Sequence, residues 1–184
     1  MVENLTITAN TITLENVELL RTPFRNFSGS PTKFHPEGGP RSFHVRLTEE
    51  QAEALRKEKF YVRERPAFEE GEEPLWHLEI KVSFRDRNGD KKSRPPRIVS
   101  VTPSGKKELD EEVAGSLDYA DIEFADVSFR PYDSGRDTVT AYLQSGYFHV
   151  KLDALQMKYE MDTMDEVICD EDGVCYLNGV RIIN

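Results

Sequence analysis

Residues 76–85 read WHLEIKVSFR, and this stretch decides the fold class. Its apolar side chains occupy every second position from Trp76 to Phe84, and polar or charged side chains occupy the positions between them. Successive side chains of a β-strand point to opposite faces, so the pattern predicts a strand with one face in a core and the other toward solvent. This two-residue period is the clearest in the chain.

Shorter segments of the same kind lie on both sides of this strand. Further strands are predicted at 5–20 (with a bend near Asn16), 42–47, 60–65, 98–101, 122–129 and 138–151. Asn88-Gly89 marks the tip of a basic hairpin loop at 85–96. The polar stretch 104–117 is expected to contain a short helix near 109–113. Many short strands separated by turn signals are typical of an antiparallel barrel or sandwich.

One clear helix is predicted, directly after the strand at 42–47. Thr48 and Gln51 fit a capping box, in which both side chains satisfy exposed N–H groups at a helix start. Ala52, Leu55 and Phe60 give a weak apolar face, so the helix is expected to run to about Lys59. Five strands with a helix after the third match the OB-fold. The predicted fold class is therefore mainly β: an antiparallel, OB-fold-like β-barrel with one short surface helix and extra hairpins.

The 184 residues fall within the range of one domain. We expect a single OB-like nucleic-acid-binding domain at 1–159, followed at 160–184 by an acidic segment and a C-terminal hairpin that turns at Asn178-Gly179. Cys169 and Cys175 are too few for a disulfide scaffold. The N-terminal residues have no apolar signal region, and no apolar run approaches a membrane span. A soluble, cytoplasmic protein is expected.

The charge of the chain is acidic but unevenly distributed. The formal net charge is −10, yet residues 21–47 contain five cations and one acid, and residues 85–97 contain six cations and two acids. Local potential governs where a polyanion docks, so a negative total does not exclude nucleic acid as a partner.

Residues 21–47 also alternate cations with aromatic rings, in the sequence RTPFRNFSGSPTKFHPEGGPRSFHVRL. The part between Ser28 and Gly39 is rich in Gly, Pro and Ser, which predicts a long loop. Proteins hold single-stranded nucleic acid with cations that track phosphates and rings that stack on bases. Phe43 is expected in the core, because it alternates with Val45 and Leu47, whereas Phe27 and Phe34 are candidates for stacking.

Several short motifs occur together in this order: Arg25-Asn26-Phe27-Ser28-Gly29, Lys33-Phe34, Gly39-Pro40-Arg41-Ser42-Phe43, Arg130-Pro131-Tyr132 and Ala141-Tyr142-Leu143. The set resembles bacteriophage single-stranded-DNA-binding proteins of the OB-fold type, over roughly 16–159. The resemblance implies a protein that coats single strands without sequence preference in phage DNA replication or recombination, inside the bacterial cytoplasm. It also implies partners among replication or recombination proteins, recruited through the acidic segment.

The candidate DNA contacts come from both lines of reasoning. The resemblance implies Arg25, Phe27, Lys33, Phe34, Arg41, Tyr132 and Tyr142. Arg130, two residues before Tyr132, is a further candidate. The basic hairpin loop adds Arg85, Arg87, Lys91, Lys92 and Arg94, which are expected to flank the DNA and to supply affinity without base choice. Tyr142 lies on the polar face of its strand, where it is either a stacking ring or the cover of a second apolar layer.

Catalytic chemistry finds no support in the sequence. The four histidines are scattered, and no GxSxG, P-loop, GxGxxG or HExxH motif is present. We therefore expect a non-enzymatic protein, a monomer or small homo-oligomer, with no cofactor, no metal and no membrane partner. Two other classes remain open: a virion structural, assembly or protein-binding β-sandwich adaptor, and an acidic DNA mimic that inhibits a host enzyme.

Overall fold

The computed structural model describes residues 1–67 and 69–158, together with the backbone of three short strands beyond them. The strands are β1 (Leu5–Ile7), β2 (Ile12–Val17), β3 (Arg25–Asn26), β4 (Ser42–Leu47), β5 (Val62–Arg65), β6 (Leu75–Lys81), β7 (Arg97–Thr102), β8 (Gly105–Leu109), β9 (Ile122–Tyr132), β10 (Thr140–Val150), β11 (Val167–Cys169), β12 (Cys175–Leu177) and β13 (Val180–Arg181). Helix α1 (Glu49–Lys57) follows β4, and a 3₁₀ helix lies at Ala114–Asp118. The prediction of a mainly β fold is confirmed.

The main sheet runs in the order β1-β2-β9-β10-β6-β4-β3; β5 also pairs with β6, β7 also pairs with β10, and β8 pairs with β7. The sheet closes on itself just after β2, where the chain forms hydrogen bonds with β4. Leu20 N donates to His44 O at 2.9 Å, and Arg46 N donates to Glu18 O at 2.8 Å. These bonds join β2 to β4, so β2, β9, β10, β6 and β4 enclose a small OB-like barrel.

Not every strand pair is antiparallel, which corrects one part of the predicted fold class. The edge of β10 pairs in parallel with β6 at Ala141↔Ile80, and farther along it pairs in parallel with β7 at Tyr147↔Val99. The chain leaves this edge after Lys81 and returns to the same edge in the same direction. The basic segment 85–96 is therefore an excursion between two parallel pairings. Its first part forms the predicted hairpin around Asn88-Gly89, because Arg85 bridges Lys91 in the antiparallel sense and Lys92 N donates to Phe84 O at 3.0 Å.

Aromatic side chains from distant parts of the chain fill the barrel. Phe27 stacks on Phe43 with ring centroids 4.9 Å apart and an interplanar angle of 14°. Phe148 meets both rings edge-on, at 5.2 and 5.5 Å. All three side chains have 0% of their surface exposed. Burial on this scale supplies the main stabilising term of the fold.

Helix α1 begins as the sequence predicts and ends two residues earlier. Thr48 Oγ1 accepts from Gln51 N, and the Gln51 side chain accepts from Thr48 N, which completes the capping box. Ala52 and Leu55, on the inner face of the helix, are fully buried. Lys59 has a φ of 65°, outside the helical region, so the chain turns there toward β5.

The stretch 104–117 differs from its prediction. It forms β8, an edge strand paired with β7, and then the 3₁₀ helix, and it contains no helix at 109–113. The charged residues Lys106, Lys107 and Glu108 are exposed, as is common on an edge strand that must not pair further. Leu109 still pairs with Ile98, and the Asp110 carboxylate then accepts from the N–H groups of Glu112 and Val113 at 2.9 and 3.1 Å, so a turn takes the place of the predicted helix.

At the C-terminus, β12 pairs with β11 and with β13, and Leu177 faces Val180 across the ends of the predicted hairpin. The acidic segment expected to recruit partners lies largely outside the described residues, as does the expected boundary at 159–160. Within the described part of the chain, no helix is long and apolar enough to span a membrane.

Candidate nucleic-acid interface

Two tyrosines stand on the outer face of the sheet, at the end where β9 and β10 meet. Tyr142 pairs with Arg130 across the two strands, and Tyr132 pairs with Thr140. The rings of Tyr132 and Tyr142 meet edge-on with centroids 5.7 Å apart, and Tyr132 has 42% of its surface exposed. Tyr142 is half-buried rather than covered by a second apolar layer, so both rings offer surface for stacking.

Cations from the 85–96 excursion contact both tyrosines. Lys92 Nζ is 5.7 Å from the Tyr142 ring centroid, within the range of a cation–π contact. Arg87 Nη2 donates to the Tyr132 hydroxyl. Together with Arg130, these side chains line an open cleft of about 580 Å³. We call it the Tyr142 cleft; Ser83, Arg85, Asp86 and Pro131 complete its lining.

Arg130 is oriented by Gln144, a residue that the sequence reasoning missed. With the Gln144 amide oxygen facing the guanidinium, Arg130 Nε and Nη2 donate to it at 2.5 and 2.6 Å, and the amide nitrogen donates to Thr11 Oγ1 at 3.1 Å. Gln144 sits at a break in the β9–β10 register, between Leu143 and Ser145. A β-bulge re-aims a side chain in this way, and a strict alternation pattern does not reveal it.

Glu111 links the base of the excursion to the long loop between β3 and β4, which we call the 28–40 loop. Arg85 Nε donates to Glu111 Oε1 at 2.9 Å, and Arg41 Nη2 lies 4.0 Å from the same oxygen. The hydrogen bond from Arg85 lowers the pKa of Glu111 and raises that of Arg85, so both stay charged. Arg85 thus lines the cleft with part of its charge already balanced.

Three predicted contacts have structural roles. Burial corrects the prediction for Arg25 and Phe27, whereas Arg41 stays partly exposed and remains a candidate. Arg25 is buried and donates to the carbonyls of Leu20, Leu117 and Ala120 at 3.2, 3.3 and 2.9 Å; burial lowers its pKa. Phe27 is in the core. Arg41 Nη1 donates to the carbonyls of Phe27 and Glu111 at 2.7 and 2.9 Å, and these bonds fix the loop to the barrel.

Phe27 is buried because Asp118, a residue far away in the sequence, holds the backbone at this position. The Asp118 carboxylate accepts from the backbone N–H groups of Phe27 and Ser28, at 2.5 and 3.1 Å. Those bonds hold the chain against the 3₁₀ helix, so the ring turns inward. The Gly/Pro/Ser-rich composition predicts the loop that follows correctly, but it does not mark where that loop starts.

Lys33 and Phe34 remain candidates. Phe34 has 85% of its surface exposed near the tip of the 28–40 loop, and Lys33 beside it is exposed. Neither residue lines the Tyr142 cleft. Lys91 and Arg94, in the excursion, are also exposed and stand outside the cleft lining. The structure therefore brings together Arg85, Arg87, Lys92, Arg130, Tyr132 and Tyr142 from the predicted set.

Two of the histidines that look scattered in the sequence form a buried pair. His44 Nδ1 and His77 Nδ1 are 2.9 Å apart, and the edge of Phe24 meets both rings. One ring must donate and the other accept, so the accepting imidazole must be neutral. Burial lowers the pKa of His44 to about 4 and also lowers that of His77.

Folding stability should therefore fall as the pH drops. The folded-state pKa of His44 lies below its ordinary value of 6.5, so the unfolded chain binds the proton first. The stabilising contribution is complete above about pH 6.5 and is lost progressively toward pH 4. Urea unfolding midpoints from about pH 7 to pH 4.5 measure this loss. His44→Gln should flatten the profile, while His35→Gln, on the exposed loop, should leave it unchanged; equal profiles in all three proteins would contradict the assignment.

Comparison with known proteins places this geometry in context. The model of the family described as "Putative phage ssDNA-binding domain" matches residues 2–175. The structure is similar to the single-stranded DNA-binding protein from bacteriophage Enc34 in complex with ssDNA (TM-score 0.51, 11% identity), with 83% of this chain and 94% of that chain covered. This likeness supports the OB-like fold.

Two further solved structures show weaker similarity. A C-terminal truncation of the Enc34 protein gives a TM-score of 0.49 at 11% identity, covering 83% of this chain and 93% of that chain. The gp2.5 single-stranded DNA binding protein of bacteriophage T7 gives 0.36 at 15% identity, covering 89% and 100%. A search of curated protein sequences finds no match.

Proposed function

This chain belongs to the phage single-stranded-DNA-binding domain family, and from that premise we propose that it binds single strands without sequence preference through the Tyr142 cleft. The observation that carries the proposal is the placement of Lys92 over the half-buried ring of Tyr142 and of Arg87 at the hydroxyl of the exposed Tyr132. Every base has a π face, so stacking on such rings tolerates any sequence. The cations attract phosphates and carry no sequence information.

The acidic total charge does not oppose this proposal. The lining of the Tyr142 cleft contains Arg85, Arg87, Lys92 and Arg130, and Asp86 is its acidic member. An open groove with a net positive lining concentrates a polyanion locally, even on a protein whose net charge is −10. The same lining argues against an acidic DNA mimic, which would present carboxylates on its binding face.

The proposed role is binding rather than catalysis, in support of phage DNA replication or recombination within the cytoplasm of an infected bacterium. Replication or recombination proteins would be the protein partners, recruited through the acidic segment after residue 159. The protein would act as a monomer or small homo-oligomer. Size-exclusion chromatography with and without oligonucleotide tests the last point.

A titration of labelled dT oligonucleotides, followed by fluorescence anisotropy at several salt concentrations, tests the proposed function. We expect tight binding at about 50 mM salt, a linear fall of log affinity with log salt, and little difference between dT and mixed sequences. A duplex of the same length should compete poorly. Absence of binding at low salt, or a preference for duplex, would contradict the proposal and favour an assembly or adaptor protein.

Lys92 should contribute to the salt dependence of binding. Replacing Lys92 with alanine should weaken binding similarly for all sequences and reduce the salt slope by about 0.7 for one lost phosphate contact. The measurement is the slope of log affinity against log salt between about 50 and 200 mM. Lys57→Ala, an exposed lysine in the last turn of α1, is the matched control and should keep the full slope. Equal slopes for both variants would place Lys92 outside the interface.

A further inference from the structure

A second group of cations and an aromatic ring lies farther along β10. Arg97 Cζ is 6.0 Å from the Tyr147 ring centroid, and Arg97 Nη1 donates to the Tyr147 hydroxyl at 3.3 Å. Lys106 Nζ is 5.9 Å from the same ring. We call these three residues, which come from β7, β8 and β10, the Tyr147 cluster. None of them was predicted from the sequence as a DNA contact.

The Tyr147 cluster and the Tyr142 cleft lie on the same face of the sheet. Residues five apart on a regular strand point to opposite faces, but the extra residue at Gln144 corrects the phase. On β9, Tyr142 faces Arg130 and Tyr147 faces Asp126, four positions away. At ~3.3 Å per residue, the two tyrosines are therefore about 13 Å apart along the strands.

The surface between the two tyrosines carries small polar side chains. Ser145 pairs with Ser128, and the Ser128 hydroxyl lies 2.9 Å from the hydroxyl of Thr13. Arg130 and Gln144 border this floor on the side of the cleft. Hydroxyl and guanidinium groups commonly contact phosphate and sugar. A single strand could therefore pass from one tyrosine to the other without leaving the sheet.

The acidic residues near Tyr147 are already engaged. Glu108 Oε2 lies 3.3 Å from Arg97 Nε, and both side chains are more than half exposed, at 63% and 57%. An exposed pair of this kind is weak, so a phosphate could replace the carboxylate. Asp126 accepts from Asn16 N at 2.8 Å and lies 3.8 Å from His149 Nε2.

We propose that the Tyr147 cluster is a second base-stacking subsite for the same single strand, which runs lengthwise along β10 from the Tyr142 cleft to the β7–β8 edge. This inference rests on the proposed function. Tyr147 would stack on a base, as proposed for Tyr142, while Arg97 and Lys106 would hold the flanking phosphates. The interface would thus extend over both parallel pairings of β10, with the excursion covering its first half.

The dependence of affinity on oligonucleotide length tests this arrangement. Binding of dT oligonucleotides from about four to about sixteen nucleotides is measured by anisotropy at low salt for the wild type, Tyr142→Leu and Tyr147→Leu. Tyr147→Leu should bind the shortest oligonucleotides normally and lose about fivefold or more in affinity for the longest. Tyr142→Leu should lose affinity at every length.

The outcomes separate the inference from the function on which it rests. If Tyr142→Leu loses affinity and Tyr147→Leu does not, the second subsite is wrong and the proposed function stands. If neither variant loses affinity at any length, the Tyr142 cleft is not the binding site either, and the proposal that places binding there is wrong as well. An equal loss at all lengths in Tyr147→Leu would also overturn the second subsite, since it would mark one undivided site.

Two further variants complete the test: one is a control that keeps the ring, and the other tests the subsite without changing Tyr147. Tyr147→Phe keeps the ring beside the buried Val99 and removes the hydroxyl, so it should keep full affinity at every length. Glu108→Gln releases Arg97 from its carboxylate and should raise affinity for long oligonucleotides only. If Tyr147→Leu does not fold, the Glu108→Gln result decides: a gain restricted to long oligonucleotides supports the second subsite, and no gain contradicts it.

Discussion

Replacing Phe27 with alanine should lower the free energy of unfolding by about 3–5 kcal/mol. The ring has no exposed surface, stacks on Phe43 and meets Phe148 edge-on, so its removal leaves a cavity between two large neighbours. Affinity for dT oligonucleotides, expressed per folded molecule, should not change, because the ring cannot reach a ligand. Urea unfolding and anisotropy titration of the same variant measure both quantities.

Phe34→Ala is the matched control, since it removes the same side chain seven residues away. Phe34 is 85% exposed, so its variant should unfold within about 0.5 kcal/mol of the wild type. A loss of DNA affinity in Phe34→Ala would add the 28–40 loop to the interface. A Phe27→Ala protein with unchanged stability and weakened DNA binding would contradict the structure at this position.

Tyr142→Ala should weaken binding of single-stranded DNA by about 5- to 150-fold, because one base–aromatic stack is worth about 1–3 kcal/mol by alanine substitution. The loss should be similar for dT and mixed sequences. Tyr142 should contribute less to the free energy of folding than Phe27 does, since its ring is only half-buried on the outer face of the sheet. Anisotropy titration at fixed salt measures the affinity, and a melting curve verifies that the variant is folded.

Tyr61→Ala controls for the loss of any surface tyrosine under a cation. Tyr61 is 62% exposed, and Arg63 Cζ lies 5.9 Å from its ring centroid, but it precedes β5 on another part of the barrel. It should bind DNA as the wild type does. If Tyr61→Ala and Tyr142→Ala lose affinity equally, the effect does not belong to the Tyr142 cleft.

Local patterns in the sequence predict the strands because their causes are local. The alternation at 76–85, the capping box at Thr48 and the Asn88-Gly89 turn depend on residues that are neighbours in the chain. Tyr142 and Tyr132 could be identified for a related reason: strand alternation places Tyr142 opposite the apolar face, and the resemblance points to both residues. The OB-like fold was predicted from the same short-range signals, and the strand order and the solved structure that resembles it confirm it.

What the sequence did not predict depends on contacts between distant residues. Asp118 turns Phe27 into the core, and the carbonyls of Leu117 and Ala120 capture Arg25, across more than ninety residues of chain. The parallel pairing of β10 with both β6 and β7 has no local signal at all. Tyr147 was not identified beside Tyr142, because strict alternation from Tyr142 places it on the opposite face, and only the bulge at Gln144 returns it to the same one.

Photochemical cross-linking tests the central claim most directly. A dT oligonucleotide that contains 4-thiothymidine is irradiated with the full-length protein at low salt, and the adducts are located by peptide mass spectrometry. We predict adducts on the peptides that contain Tyr132 and Tyr142, with competition by unlabelled single strands and not by duplex. Adducts confined to α1, to β5 or to the residues that surround the His44–His77 pair would contradict a binding site in the Tyr142 cleft.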